Sequence, residues 1–155
     1  MDKRQVVGSW LSGPRAAAEQ MGVDFGYRGE RLGLPESGPG SVASVGRRFA
    51  AVFIDWFLCL IIAFGLLSAG DSRSTSNWAL VVFGVMTFLM VGTLGFTPGK
   101  RMLGLRVIGV DGGRLTVPRV AVRTALLLLV IPALVWDRDT RGLHDRVSGA
   151  VQIRF

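Results

Sequence analysis

Residues 49–69 contain a single charged side chain, Asp55, in a run made mostly of Phe, Leu, Ile, Val and Ala. At about 1.5 Å per helical residue, the run covers the ~30 Å hydrocarbon thickness of a bilayer. Asp55 then lies about six residues inside it, roughly 10 Å deep. A carboxylate at the bilayer centre costs ~2.5–3.5 kcal/mol or more, so Asp55 is expected to face protein or water. Arg48 precedes it by seven residues. That is nearly two helical turns, which sets both side chains on one face about 10 Å apart. Arg48 can hold its charge at headgroup level while its stem runs along the helix. Ala51 and Val52 lie between them and are small enough to admit another helix or a water.

A second run, residues 77–94, is uncharged and carries Gly84 and Gly92. Small residues let helix backbones approach in lipid, but these two lie about 80° apart round the helix and make no single stripe. Residues 70–76 form a polar loop without net charge. The third apolar stretch, residues 124–136, is shorter than a comfortable span and is interrupted by Pro132. Extending it back to Val117 gives span length but includes Arg119 and Arg123. A kinked or re-entrant segment would return the charged residues 137–146 to the face they left. The expected fold is an all-α membrane protein: two transmembrane helices, a third apolar, Pro-interrupted helical segment, and a small β-hairpin at the cytoplasmic face. The hairpin is read from residues 105–110 and 114–117 flanking Asp111-Gly112-Gly113. Residues 150–155 alternate well enough to join it as a third strand.

Residues 1–45 are dense in Gly and Pro with charges of both signs. They read as a disordered cytoplasmic tail preceding a membrane domain at 46–155. Within the tail, residues 14–21 can form a short helix, and Trp10 and Leu11 either touch the membrane surface or a partner or have no role. No early stretch has the apolar core of a signal peptide, so cleavage is not expected. The net charge is +7. Because most basic residues flank apolar runs, this excess points to anionic headgroups and not to nucleic acid. Lys100, Arg101 and Arg106 are assigned to lipid phosphates. The basic segment after the second span contrasts with the neutral first loop. This predicts a multi-pass plasma (inner) membrane protein with its N-terminus and residues 96–118 in the cytoplasm and residues 70–76 outside. The C-terminus is also placed inside.

Arg48 and Asp55 in the first helix, the segment Gly95-Phe96-Thr97-Pro98-Gly99-Lys100-Arg101-Met102-Leu103-Gly104-Leu105-Arg106-Val107 and the segment Gly142-Leu143-His144-Asp145-Arg146-Val147-Ser148-Gly149 occur in that order. Together they resemble the RDD family of small membrane proteins. The resemblance implies that Arg48, Asp55 and Asp145 are the naming residues. It also implies a role of the kind suggested for the family, transport of ions or small solutes.

The residues themselves leave two uses for Asp55. It is either an intramembrane ion pair with Arg48 or Arg123, or a site that exchanges H⁺ or Na⁺, depending on how burial and a nearby Arg balance its titration. His144, Asp145 and Arg146 form a second polar cluster, read either as a surface ion pair or turn cap or as a proton relay. Gly99-Lys100 does not make a phosphate-binding loop: Leu94 and Arg101 stand where that motif needs Gly and Ser or Thr. No nucleophile–base pair and no metal-ligand set stands out, so neither an enzyme nor a cofactor is expected. The lone Cys59 excludes an intramolecular disulfide. Two functions follow. One is an accessory or scaffold component, alone, as a homo-oligomer or in a larger membrane complex, held together by its Arg and Asp residues. The other is a transporter or ion-exchange component that uses Asp55.

Overall fold

The computed structural model describes residues 22, 26–68, 71–129 and 141–155. The readings for Trp10, Leu11, residues 14–21, Pro132 and residues 137–140 lie outside those residues.

The first long helix, α1, spans Val45–Ile62 and continues through a π-helical turn, Ala63–Leu67, closed by Ser68 N–H donating to Ala63 O at 2.9 Å. The second, α2, spans Ser72–Thr93. It starts five residues before the uncharged run because Asp71 caps it, accepting from the backbone N–H groups of Arg73 and Ser74 at 3.2 Å. The polar residues read as a loop are therefore largely its first turn. A hydroxyl pair, Ser68 with Thr75 at 2.9 Å, clips the short connection. Both helices are long and apolar enough to cross a membrane.

Their faces are sorted the opposite way to those of a water-soluble helix. Outward, α1 presents Phe53, Phe57 and Ile61, and α2 presents Val81, Val85 and Leu89. Inward, α1 buries Arg48, Ala51, Asp55 and Cys59, a helical stripe that is small or charged. An apolar exterior around a polar interior suits lipid, where only buried charges can find partners.

A short helix, α3 (Pro98–Met102), packs against α1, and β1 follows at Leu105–Gly109. The helix α4 spans Val117–Leu128 with Pro118 in its first turn. A last short helix, α5 (Leu143–Val147), leads into β2 (Ala150–Arg154). Both glycines of α2 face α4: a Cβ on Gly84 would lie 3.2 Å from Leu128, and one on Gly92 3.9 Å from Val120. Their angular offset is absorbed by the length of the α2–α4 contact.

The expected hairpin is corrected in its partner. Residues 114–116 form no strand, and α4 begins at Val117. Instead β1 pairs antiparallel with β2, Leu105 opposite Arg154 and Gly109 opposite Ala150. The Asp111 side chain accepts from Gly113 N–H at 3.1 Å, and Gly109 N–H donates to Gly113 O at 2.8 Å. This tight loop turns the chain into a helix, not a returning strand. On the other edge of β2, Val42 bridges Ile153, Ala43 N–H donates to Gln152 O at 2.9 Å, and Gly40 N–H donates to Arg154 O at 2.7 Å. Residues 40–43 thus add backbone contacts to the free edge of this sheet. Val91, Val107, Leu115, Val120 and Ala150 fill the joint between this sheet and the helices.

Candidate functional site

The polar interior has two carboxylate centres, each joining segments that are distant in sequence. Asp55, 1 % exposed on α1, accepts from the Thr97 hydroxyl and, at 2.7 Å, from Gly99 N–H. Thr97 is the N-cap of α3 but makes no capping bond of its own. Asp55 supplies that cap from another helix, meeting N–H groups that have no partner within α3. The approach requires glycine. A Cβ at position 99 would stand 2.3 Å from Ala51 O and 3.0 Å from Asp55 Oδ1. Small Ala51 and absent Cβ at Gly99 together let α3 lie against α1.

Asp145, fully buried on α5, is the second centre. Its Oδ1 accepts from Arg123 Nε at 2.7 Å, and its Oδ2 accepts from Gln152 Nε2 at 2.6 Å, with His144 Nε2 at 3.4 Å. One carboxylate therefore links α4, α5 and β2. Burial alone would raise the Asp145 pKa, but the Arg123 guanidinium, His144 and the Gln152 amide outweigh it and hold it well below the usual carboxylate range. Ser148 stabilises the turn between α5 and β2 by donating to His144 O at 2.7 Å.

Each sequence-selected residue has a definite place. Arg48, Asp55, Arg123, His144 and Asp145 are all buried. Arg123, considered as a counter-ion for Asp55, is bonded to Asp145 instead. Arg146 is exposed and takes no part in the interior cluster. Lys100, expected at lipid phosphates, is 2 % exposed and donates to Thr97 Oγ1 at 3.5 Å. The reason is the direction of residues 97–99: they do not simply leave the second span but start a helix folded back onto α1, carrying Lys100 inward. Burial pushes its pKa from 10.5 to about 8, with Arg123 adding to the shift and Asp55 and Asp145 opposing it. Arg101 and Arg106 are exposed, Arg101 standing 5.0 Å over the Phe96 ring. The sequence reading missed Thr97, Gly99 and Gln152 as carboxylate partners. Gln152 did carry a signal, as the one amide in an otherwise aliphatic stretch of β2.

The Asp145 centre borders a cavity of about 270 Å³, which Asp55 does not line. Arg48, Lys100, Arg123, Asp145 and Gln152 line its polar end, and Phe53, Trp56, Leu80, Phe83 and Leu127 line its apolar end. Trp56 meets Phe83 edge-on at 5.7 Å between ring centres. Among the described residues, no group of three or more His, Cys, Asp or Glu side chains is placed to hold a metal.

The model of the RDD family matches residues 42–149, which include Asp55 and Asp145. No curated protein and no solved structure matches the chain.

Proposed function

Because the chain belongs to the RDD family, a family of small membrane proteins, we propose that it is an accessory or scaffold component of the plasma (inner) membrane whose buried Arg and Asp residues hold its segments together. One observation carries this reading. All four carboxylate oxygens of Asp55 and Asp145 accept hydrogen bonds from protein donors on other segments or side chains. An exchanging carboxylate must release its partners to take an ion. These two are engaged in joining α1 to α3 and α4 to β2. The outward apolar faces of α1 and α2 leave surface for lipid, a second copy or a larger membrane complex.

The alternative, a transport or ion-exchange component, is favoured by the cavity, whose lining combines three cationic side chains and Asp145 with apolar residues. Reconstituted liposomes separate the two. Under an imposed pH or Na⁺ gradient, the scaffold reading expects no flux above protein-free liposomes. A flux abolished by Asp55→Asn would establish the exchanger.

The proposed orientation puts the N-terminus and the β-sheet in the cytoplasm and the α1–α2 connection outside. Arg47, Arg48, Lys100, Arg101 and Arg106 lie on the sheet side, against Arg73 at the connection. Cysteines placed at the exposed positions Ser72 and Gly113 should react with a membrane-impermeant thiol reagent from opposite sides. Equal labelling of both in intact cells would contradict this orientation.

A further inference from the structure

Lys3 and Lys100 are the only lysines in the chain, and every other basic side chain, His144 apart, is an arginine. An arginine keeps its proton at any ordinary pH, whereas a buried lysine readily loses it and becomes a nucleophile. Lys100 is 2 % exposed on α3. Among the described residues it makes one hydrogen bond, to Thr97 Oγ1 at 3.5 Å, and no ion pair. Thr97 gives its own hydroxyl hydrogen to Asp55. Arg123, equally buried, is held by a carboxylate at 2.7 Å. Two conditions that activate a lysine amine therefore meet at Lys100, desolvation and a neighbouring cation. Burial is the larger cause of its pKa near 8; Arg123 on α4 and Arg48 on α1 add to it, and Asp55 on α1 and Asp145 on α5 oppose it without restoring the ordinary value.

A nucleophile needs space for its electrophile. Lys100 lines the cavity of about 270 Å³ together with Val52, Phe53, Trp56, Leu80 and Phe83. Phe53 and Leu80 are also exposed on the outward faces of α1 and α2, so the cavity borders the surface that meets lipid. Its volume of about 270 Å³ corresponds to roughly nine waters' share of liquid, room for a short apolar chain with one small polar group. An uncharged electrophile on an apolar chain suits these walls. An aldehyde is one that a neutral amine takes up reversibly with no further reagent. The Nζ lone pair adds to the carbonyl carbon and forms the C–N bond. The carbonyl oxygen then leaves as water with the two amine hydrogens, and a C=N bond remains. Nothing is oxidised or reduced.

We propose that Lys100 Nζ is a covalent binding site for apolar, membrane-borne aldehydes, which it holds as an imine inside the cavity. The inference goes beyond the scaffold reading and does not depend on it, since an imine can form on a protein that moves no solute and joins no complex.

Reductive trapping of the full chain in neutral detergent at pH 7.5 tests it, with hexanal as the probe and cyanoborohydride to fix any imine as a secondary amine. Peptide mass spectrometry then reads the rate at Lys100 against that at Lys3. Roughly a quarter of an amine with pKa 8 is neutral at this pH, against about 0.1 % of an ordinary lysine. A less basic amine is a weaker nucleophile, so the expected preference for Lys100 is set lower, at about fivefold or more. Unfolding in dodecyl sulfate should erase the preference. Glyoxylate, a charged aldehyde, should label Lys100 at least about fivefold more slowly than hexanal does. Leu80→Trp reduces the space beside Phe53 without altering a charge, and should slow hexanal at Lys100 about fivefold while leaving Lys3 unchanged. Lys100 reacting no faster than Lys3 in the folded chain would overturn the proposal. So would a preference that survives unfolding, equal labelling by glyoxylate, or a Lys100 rate unchanged in Leu80→Trp.

Discussion

Asp145→Ala should be among the most damaging single substitutions in the chain, lowering stability in detergent by about 3–5 kcal/mol. The loss does not come from the ion pair's own net strength. It comes from leaving Arg123, which is 1 % exposed, as an uncompensated buried charge, together with an unmatched Gln152 amide. Three segments, α4, α5 and β2, lose a common partner at once. The sign of the pH effect follows from the same contacts. Arg123 depresses the Asp145 pKa in the folded protein, so its contribution is fully present above the unfolded value of 3.8 and is lost as pH falls through the lower folded value. Melting curves across pH 2–7 should therefore show a low-pH loss in the unmodified chain that is reduced in Asp145→Asn. A melting midpoint of Asp145→Ala equal to that of the unmodified chain would refute the assignment.

Asp55→Ala should cost several kcal/mol by a different route. It strips the acceptor from the Thr97 hydroxyl and from Gly99 N–H, each worth about 1–3 kcal/mol when left buried and unsatisfied. It also removes a negative charge that favours the charged form of buried Lys100. Asp55→Asn keeps the shape and one acceptor, so its loss should be clearly smaller. Gly99→Ala should reproduce much of the Asp55→Ala loss without altering any charge. A methyl 2.3 Å from Ala51 O cannot be accommodated unless α3 moves off α1, and that movement breaks the same bonds. If Gly99→Ala melts with the unmodified chain, α3 is not held against α1 as described.

The parts of this architecture that were legible in the sequence are those set by long, local patterns. The α1 run, with one charge in a span-length apolar stretch, determines both the helix and the inward placement of Asp55, because an exposed carboxylate there is too costly. Asp145, in a stretch dense in charge, stood out only through the family resemblance and its place beside His144. What was not legible depends on partners chosen through space. Residues 105–110 and 114–117 look alike as β-prone runs, but the Asp111 loop sends the second into α4, and β1 pairs with a strand more than forty residues away. Lys100 was misplaced because a Thr-Pro-Gly sequence fits both a turn leaving a helix and the start of a new one. Only the missing Cβ at Gly99, facing Ala51, decides between them. The start of α2 was missed since a serine- and threonine-rich stretch reads as loop until Asp71 is recognised as its cap.

The central claim is that buried charges here are spent on joining segments, and a double-mutant cycle on Arg123 and Asp145 measures it most directly. Stabilities in detergent would be compared for the unmodified chain, Arg123→Met, Asp145→Asn and the double variant. Residues in direct contact within one network should show a large interaction term, so the double variant should be at least as stable as the worse single variant, with a coupling above about 2 kcal/mol. Losses that simply add, with no coupling beyond about 0.5 kcal/mol, would mean that the two residues act independently and that the carboxylate does not hold these segments together.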